Sequence, residues 1–121
     1  MSDCALLPSR FQGESFPLCL IQAMQSGTPI VATNIGGIPA MMTMGKRSAG
    51  LLIAPLDDDE AFAAELGDAM AAMLDNEFRR RRAADAKAIA VRYSMAKMAE
   101  SYEALFARLT AAAGQVQVQC R

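Results

Sequence analysis

The 121-residue chain contains no histidine. That absence removes both the usual general base near neutral pH and the commonest metal ligand. Ser-His-Asp and Cys-His chemistry, and any histidine-based metal centre, are excluded for the chain acting alone. Neither sign of charge is in excess, with 12 basic against 13 acidic residues. Such a balance leaves no electrostatic footprint for nucleic acid or an anionic membrane as partner. No window approaches ~20 consecutive apolar residues, so no transmembrane segment is expected. The opening MSDCALLPSR has neither the basic start nor the apolar run of a secretory leader. Cysteine is scarce: Cys4, Cys19 and Cys120 are odd in number and far apart. Reduced thiols and a cytoplasmic location follow as expectations.

What is present is a chain 53% hydrophobic, rich in alanine and methionine and poor in aromatics. The length suits one domain or a piece of one, and the composition favours helices. The run CALLPS (residues 4–9) reads as a buried strand that ends at Pro-Ser. A loop through Gly13 leads to Pro17, which suits a first helical turn. The helix beyond it has Leu18, Ile21, Ala23 and Met24, apolar on most sides, which predicts that it is largely buried. Gly27 supplies its C-terminal stop.

TPIVATN is a second strand, rich in β-branched residues. Gly36 and Gly37 make a turn, and Pro39 opens a short helix. AGLLIAP is a third strand. Residues 57–59, all aspartate, cap the next helix. Its inward stripe is read as Phe62, Leu66, Met70, Met73 and Leu74. A further helix starts at Asn76 or Glu77, and Ser94 caps a last one. That last helix carries Met95, Met98, Tyr102, Leu105, Phe106 and Leu109 on one face. The four arginines at 79–82 are read as a solvated helix face. The methionines, among them Met41, Met42 and Met44, are read as core filler.

Strands alternating with helices predict an α/β fold. The expected form is a partial doubly wound, Rossmann-like parallel sheet of about three strands with two or three C-terminal helices. The predicted domain covers residues 1–113, with a disordered tail at 114–121. Three strands leave sheet edges that need cover, so a homo-oligomer is expected.

Ligands of such sheets bind beyond the carboxyl ends of the strands. Two loops lie there, residues 9–17 and 33–39, and each contains glycine and precedes a helix. Helix N-terminal amides there suit an anion such as a phosphate. Glu14 stands in the first loop. Periodicity leaves two readings open: a carboxylate that complements the helix dipole, or an acceptor for the hydroxyls of a sugar or ribose.

In its full order, ALLPSRFQGESFPLCLIQAMQSGTPIVATNIGGIPAMM resembles the C-terminal, donor-binding domain of retaining glycosyltransferases of the two-domain GT-B fold, family-four type (glycosyl transferases group 1). GLLIAPLDDDEAFAAEL and YSMAKMAESYEALF resemble that family's tail, so the likeness covers about residues 3–110. It implies transfer of a sugar, with retention, from a nucleotide-sugar such as a UDP- or GDP-sugar to a hydroxyl acceptor, without a required metal or other cofactor. By that likeness Glu14 takes the place of the glutamate that contacts the donor sugar. Ser15, Phe16, Leu18 and the Gly36–Gly37 turn line the donor. Position 22 takes the place of a second glutamate that holds the ribose, but here it is Gln22. Position 40, a glutamate in the family's Gly-Gly-x-Pro-Glu turn, is Ala40. The family's acceptor domain and its basic, diphosphate-holding segment have no counterpart in the chain. The expectation is therefore a fragment inactive alone, with the missing N-terminal half as partner. The alternative is a non-catalytic, self-associating α/β module with weak or no nucleotide binding.

Overall fold

The structure, a computed structural model, describes residues 2–116. The chain divides into two compact units, Met1–Val91 and Arg92–Arg121.

The first unit is built on a three-stranded parallel sheet. Its strands are β1 (Ala5–Leu7), β2 (Ile30–Thr33) and β5 (Gly50–Ile53), in the order β1-β2-β5. Ala5 pairs with Ile30 and Ile30 with Gly50, so the three strands run in step. Every residue of β2 is buried. That is the signature of a central parallel strand covered on both faces, and it is why IVAT has no alternating polar position. Between β2 and β5 lie the short helix α2 (Ile38–Met42) and a two-stranded hairpin, β3 (Thr43–Met44) with β4 (Arg47–Ser48). The hairpin is absent from the sequence reading. It turns at Gly45, whose φ is 60°.

Helix α1 (Leu18–Ser26) connects β1 to β2. It ends at Gly27 with φ 74°, where the amides of Gly27 and Thr28 donate to the carbonyls of Met24 and Ala23 at 3.0 and 2.8 Å. Only Leu20 and Met24 of α1 are buried. The expectation of a helix covered on most sides is thus corrected. The helix packs one face on β2 and on α4 (Asn76–Ala90), while Leu18 and Cys19 on the other are exposed.

Helix α3 (Asp59–Ala72) is capped by Asp58, which accepts from the Ala61 amide at 2.7 Å. Asp75 caps α4 through the Phe78 amide at 2.8 Å. Phe62, Ala69 and Met73 join Val31 and Ile53 in one core cluster, with Leu66 partly buried against it. Met70 and Leu74, expected in the same stripe, are exposed instead. Ala69 takes the inward position, seven residues and two turns after Phe62, and turns Met70 past the core's rim. The methionines divide likewise. Met24, Met41, Met42 and Met73 are buried, whereas Met44, Met70, Met95 and Met98 are exposed.

The arginine run is also corrected. Arg80 and Arg81 are exposed, but Arg79 and Arg82 turn inward. Arg79 donates to the Met73 carbonyl at 2.7 Å, tying the α3–α4 turn. Arg82 lies 4.8 Å from the centre of the Phe78 ring and pairs with Asp85 at 3.8 Å. A period of 3.6 residues sends the first and fourth arginines to the same side.

A cavity of about 280 Å³ lies beside β1, lined by Asp3, Cys4, Leu6, Met70, Met73, Leu74 and Arg79. Burial pushes the Cys4 thiol above its ordinary range, and the Val31 backbone and the Arg79 charge only partly oppose that.

In the second unit, α5 (Met95–Val116) begins at Ser94, whose hydroxyl accepts from the Lys97 amide at 3.2 Å. Met95, Met98, Tyr102, Leu105, Phe106 and Leu109 recur at helical spacing as predicted, and all are exposed. The helix runs beyond residue 113. The remainder of the expected tail, residues 117–121, lies outside the described residues. Among the described residues no helix is long and apolar enough to cross a membrane.

Candidate functional site

Adjacent parallel strands deliver their following loops side by side. β1 and β2 are hydrogen-bonded neighbours, so the loops after Leu7 and after Thr33 emerge together. The contact between them is made by backbone. The Gly37 amide donates to the Glu14 carbonyl at 2.7 Å, and the Glu14 amide donates back along its own loop to Phe11 at 3.1 Å.

The glycine pair explains how main chains come this close. A Cβ on Gly36 would stand 2.0 Å from the Glu14 carbonyl oxygen, and one on Gly37 would stand 1.9 Å from that of Ser15. Gly36 also has φ 52°, a conformation that side chains disfavour. The turn therefore joins two loops, and the amide of Gly37 is spent on that junction.

The Glu14 side chain is half-buried, and its Oε1 accepts from Ser9 Oγ at 3.1 Å. Ser9 Oγ in turn accepts the Phe11 amide at 3.2 Å. No protein hydrogen bond among the described residues reaches Glu14 Oε2. The flank of the loop is pinned by Arg10, whose guanidinium lies 4.5 Å from the centre of the Phe62 ring and pairs with Asp59 Oδ1 at 2.6 Å. These contacts tie the first loop to the start of α3. The sequence pattern assigns no role to Arg10 and shows Ser9 only as the end of a strand run. The available signal was a serine at the end of a strand, five residues before the carboxylate.

The structure thus brings Glu14, Ser15, Gly36 and Gly37 into one backbone junction. It places Phe16, Leu18 and Gln22 elsewhere around it. Phe16 is 52% and Leu18 64% exposed. Gln22, one turn beyond Leu18, is also exposed on α1. Among the described residues no hydrogen bond links Gln22 to Glu14. Pro17 precedes α1 in extended conformation and provides no side-chain cap for its first turn. Those helix-end amides face the same end of the sheet as Glu14. Among the described residues no group of three or more Cys, Asp or Glu side chains is assembled as a cation site.

A carboxylate beside a helix N-terminus, at the carboxyl end of a parallel α/β sheet, defines a class of small-ligand sites. The family model of the glycosyl transferases group 1 matches residues 1–72, and the chain belongs to that family. It is 36% identical over 108 residues to the D-inositol 3-phosphate glycosyltransferase of Corynebacterium urealyticum, with 89% of this chain and 24% of that protein covered. Against the phosphatidyl-myo-inositol mannosyltransferase of Mycobacterium tuberculosis the identity is 32% over 107 residues, covering 88% of this chain and 28% of that one. A lipopolysaccharide core biosynthesis mannosyltransferase of Rhizobium meliloti is 38% identical over 74 residues, 61% of this chain and 19% of the relative. The chain therefore spans about a quarter of the length of the curated relatives it matches. No solved structure matches it.

Proposed function

We propose that this chain carries part of the donor site of a retaining, GT-B-type glycosyltransferase, one that moves a sugar from a nucleotide-sugar to a hydroxyl acceptor. The observation that carries this reading is Glu14 itself. Its main chain is fixed at the meeting of two loops, and one carboxylate oxygen is held by Ser9. The other oxygen is free to accept hydrogen bonds from a hydroxylated ligand. In this reading Glu14 contacts the donor sugar. Ser15, Phe16, Leu18, Gly36 and Gly37 line the donor, and Gln22 contacts the ribose. An amide at position 22 keeps an acceptor and loses the charge-assisted bond, a difference on the order of 1 kcal/mol.

The diphosphate needs cationic partners that this chain does not supply in its first loop, because Arg10 is engaged by Asp59 and Phe62. The fragment is therefore proposed to bind donor and to lack transfer activity. Calorimetric titration with UDP- and GDP-sugars tests the binding. The reading is supported by saturable heat that Glu14→Ala abolishes, and overturned by identical titrations for the parent and Glu14→Ala. Robust sugar transfer by the isolated chain would contradict the proposed inactivity.

A second reading, a non-catalytic module that self-associates, is favoured by a specific surface. Leu6, Met70 and Leu74 are 45%, 44% and 78% exposed around the cavity beside β1. Light scattering at micromolar concentration decides it. A dimer or larger species supports association, and a monomer contradicts it.

A further inference from the structure

We propose that Ser9 is the residue that orients the Glu14 carboxylate toward the donor sugar. The inference rests on the donor reading above and adds a positioning residue to it.

A serine hydroxyl has a single proton and can accept as well as donate. In Ser9 the accepting side is occupied by the Phe11 amide at 3.2 Å. The proton is thereby directed away from Phe11, and Glu14 Oε1 lies 3.1 Å from Oγ to receive it. The backbone of Glu14 is fixed separately, through Phe11 and Gly37. Main-chain and side-chain placement are therefore set by different partners. The first decides where the residue stands, and the second sets the plane of its carboxylate. Without the Ser9 proton the carboxylate is free to rotate about its last torsion, which is intrinsically broad. A ligand that needs a carboxylate oxygen in one place would then have to order the group on binding.

Removing the hydroxyl is predicted to affect only the part of the ligand that Glu14 touches. Titrations compare a nucleotide-sugar with the matching nucleoside diphosphate for the parent chain, Ser9→Ala and Ser9→Thr. Ser9→Ala is expected to weaken the nucleotide-sugar by about fivefold to tenfold and leave the diphosphate within about twofold. Ser9→Thr, which keeps a hydroxyl, is expected to restore the parent value. A general loosening of the loop would weaken both ligands alike, and that result overturns the proposal. So does a Ser9→Ala chain that binds the nucleotide-sugar as the parent does.

The side-chain carboxyl carbon resonance of Glu14, assigned through Glu14→Gln, is followed in the same three chains without ligand. It is expected to move in Ser9→Ala and to return in Ser9→Thr. If the parent chain binds both ligands equally or neither, the donor reading fails. The resonance alone then decides whether Ser9 holds Glu14, and an unmoved resonance overturns that hold.

Discussion

The amide of Gly37 donates to the main-chain carbonyl of Glu14 at 2.7 Å, across two loops that the sequence separates by a helix and a strand. The candidate site is shaped by that bond and by the bare Cα atoms that let it form. The carboxylate at position 14 is the chemical group, but the glycine pair sets where it stands.

The first prediction concerns that junction. Gly37→Ala places a methyl group where the Ser15 carbonyl oxygen lies 1.9 Å away, so the two loops must part. A loss of about 1–3 kcal/mol in urea unfolding is expected, together with loss of donor binding. Gly67→Ala is the contrasting control. A Cβ there meets nothing within 4 Å, and the residue sits inside α3. It is expected to stabilise the chain by about 0.5–1 kcal/mol.

At position 22 the outcome runs the other way. Gln22 is exposed on α1, so a carboxylate there is not buried and carries little desolvation cost. Gln22→Glu is expected to tighten nucleoside diphosphate binding by about fivefold through a charge-assisted bond to the ribose, measured by titration calorimetry. Unchanged or weaker affinity would remove Gln22 from the ribose contact.

Arg10 offers a test of loop anchoring. Both its partners are on α3: Asp59 as an exposed ion pair and Phe62 as the ring beneath the guanidinium. Each contact is of modest strength, so Arg10→Ala is expected to cost about 1 kcal/mol in chemical unfolding. Arg10→Lys keeps the charge and loses the planar stack, and is expected to fall between the two. Hydrogen exchange of the loop amides is expected to quicken in both variants.

Cysteine reactivity gives a pH prediction. Burial raises the Cys4 thiol above 9.0, the value of an unperturbed thiol. The folded chain therefore holds a proton that the unfolded chain releases first. Stability is fully present below pH 9.0 and falls as pH rises from there toward the folded value. Unfolding midpoints of the parent and Cys4→Ala, followed from pH 7 to 10, are expected to show the extra alkaline loss only in the parent. At neutral pH, peptide mapping after brief iodoacetamide treatment is expected to find the exposed Cys19 alkylated well before Cys4.

Much of this architecture is legible in the order of residues. The apolar runs ALL, IVAT and GLLI form the three parallel strands, although only IVAT is buried throughout, and Gly27, Asp58 and Ser94 end or cap helices as their types suggest. Those features are local, set by backbone preference and by the nearest few amides. What the sequence did not disclose is relational. Nothing in the spacing of Met70 and Leu74 says that they lie past the rim of the core, because that depends on where β1 ends the sheet. Helix α1 reads as largely buried, apolar on most sides, yet packing on β2 and α4 covers only one face. Glu14 was legible as a candidate; Ser9, which holds it, looked like the end of a strand.

The Gly37–Glu14 bond also bears on how the loop comes into being. During synthesis Ser9, Glu14 and all of α1 emerge before the amide that seats Glu14 exists. A peptide spanning residues 5–27 would contain the carboxylate and its serine and still lack the partner at position 37. The loop is thus encoded in two places, and its shape is acquired only after β2 has docked against β1. Closing that separation costs chain entropy before any contact repays it, so the candidate site is expected to be among the late features to form.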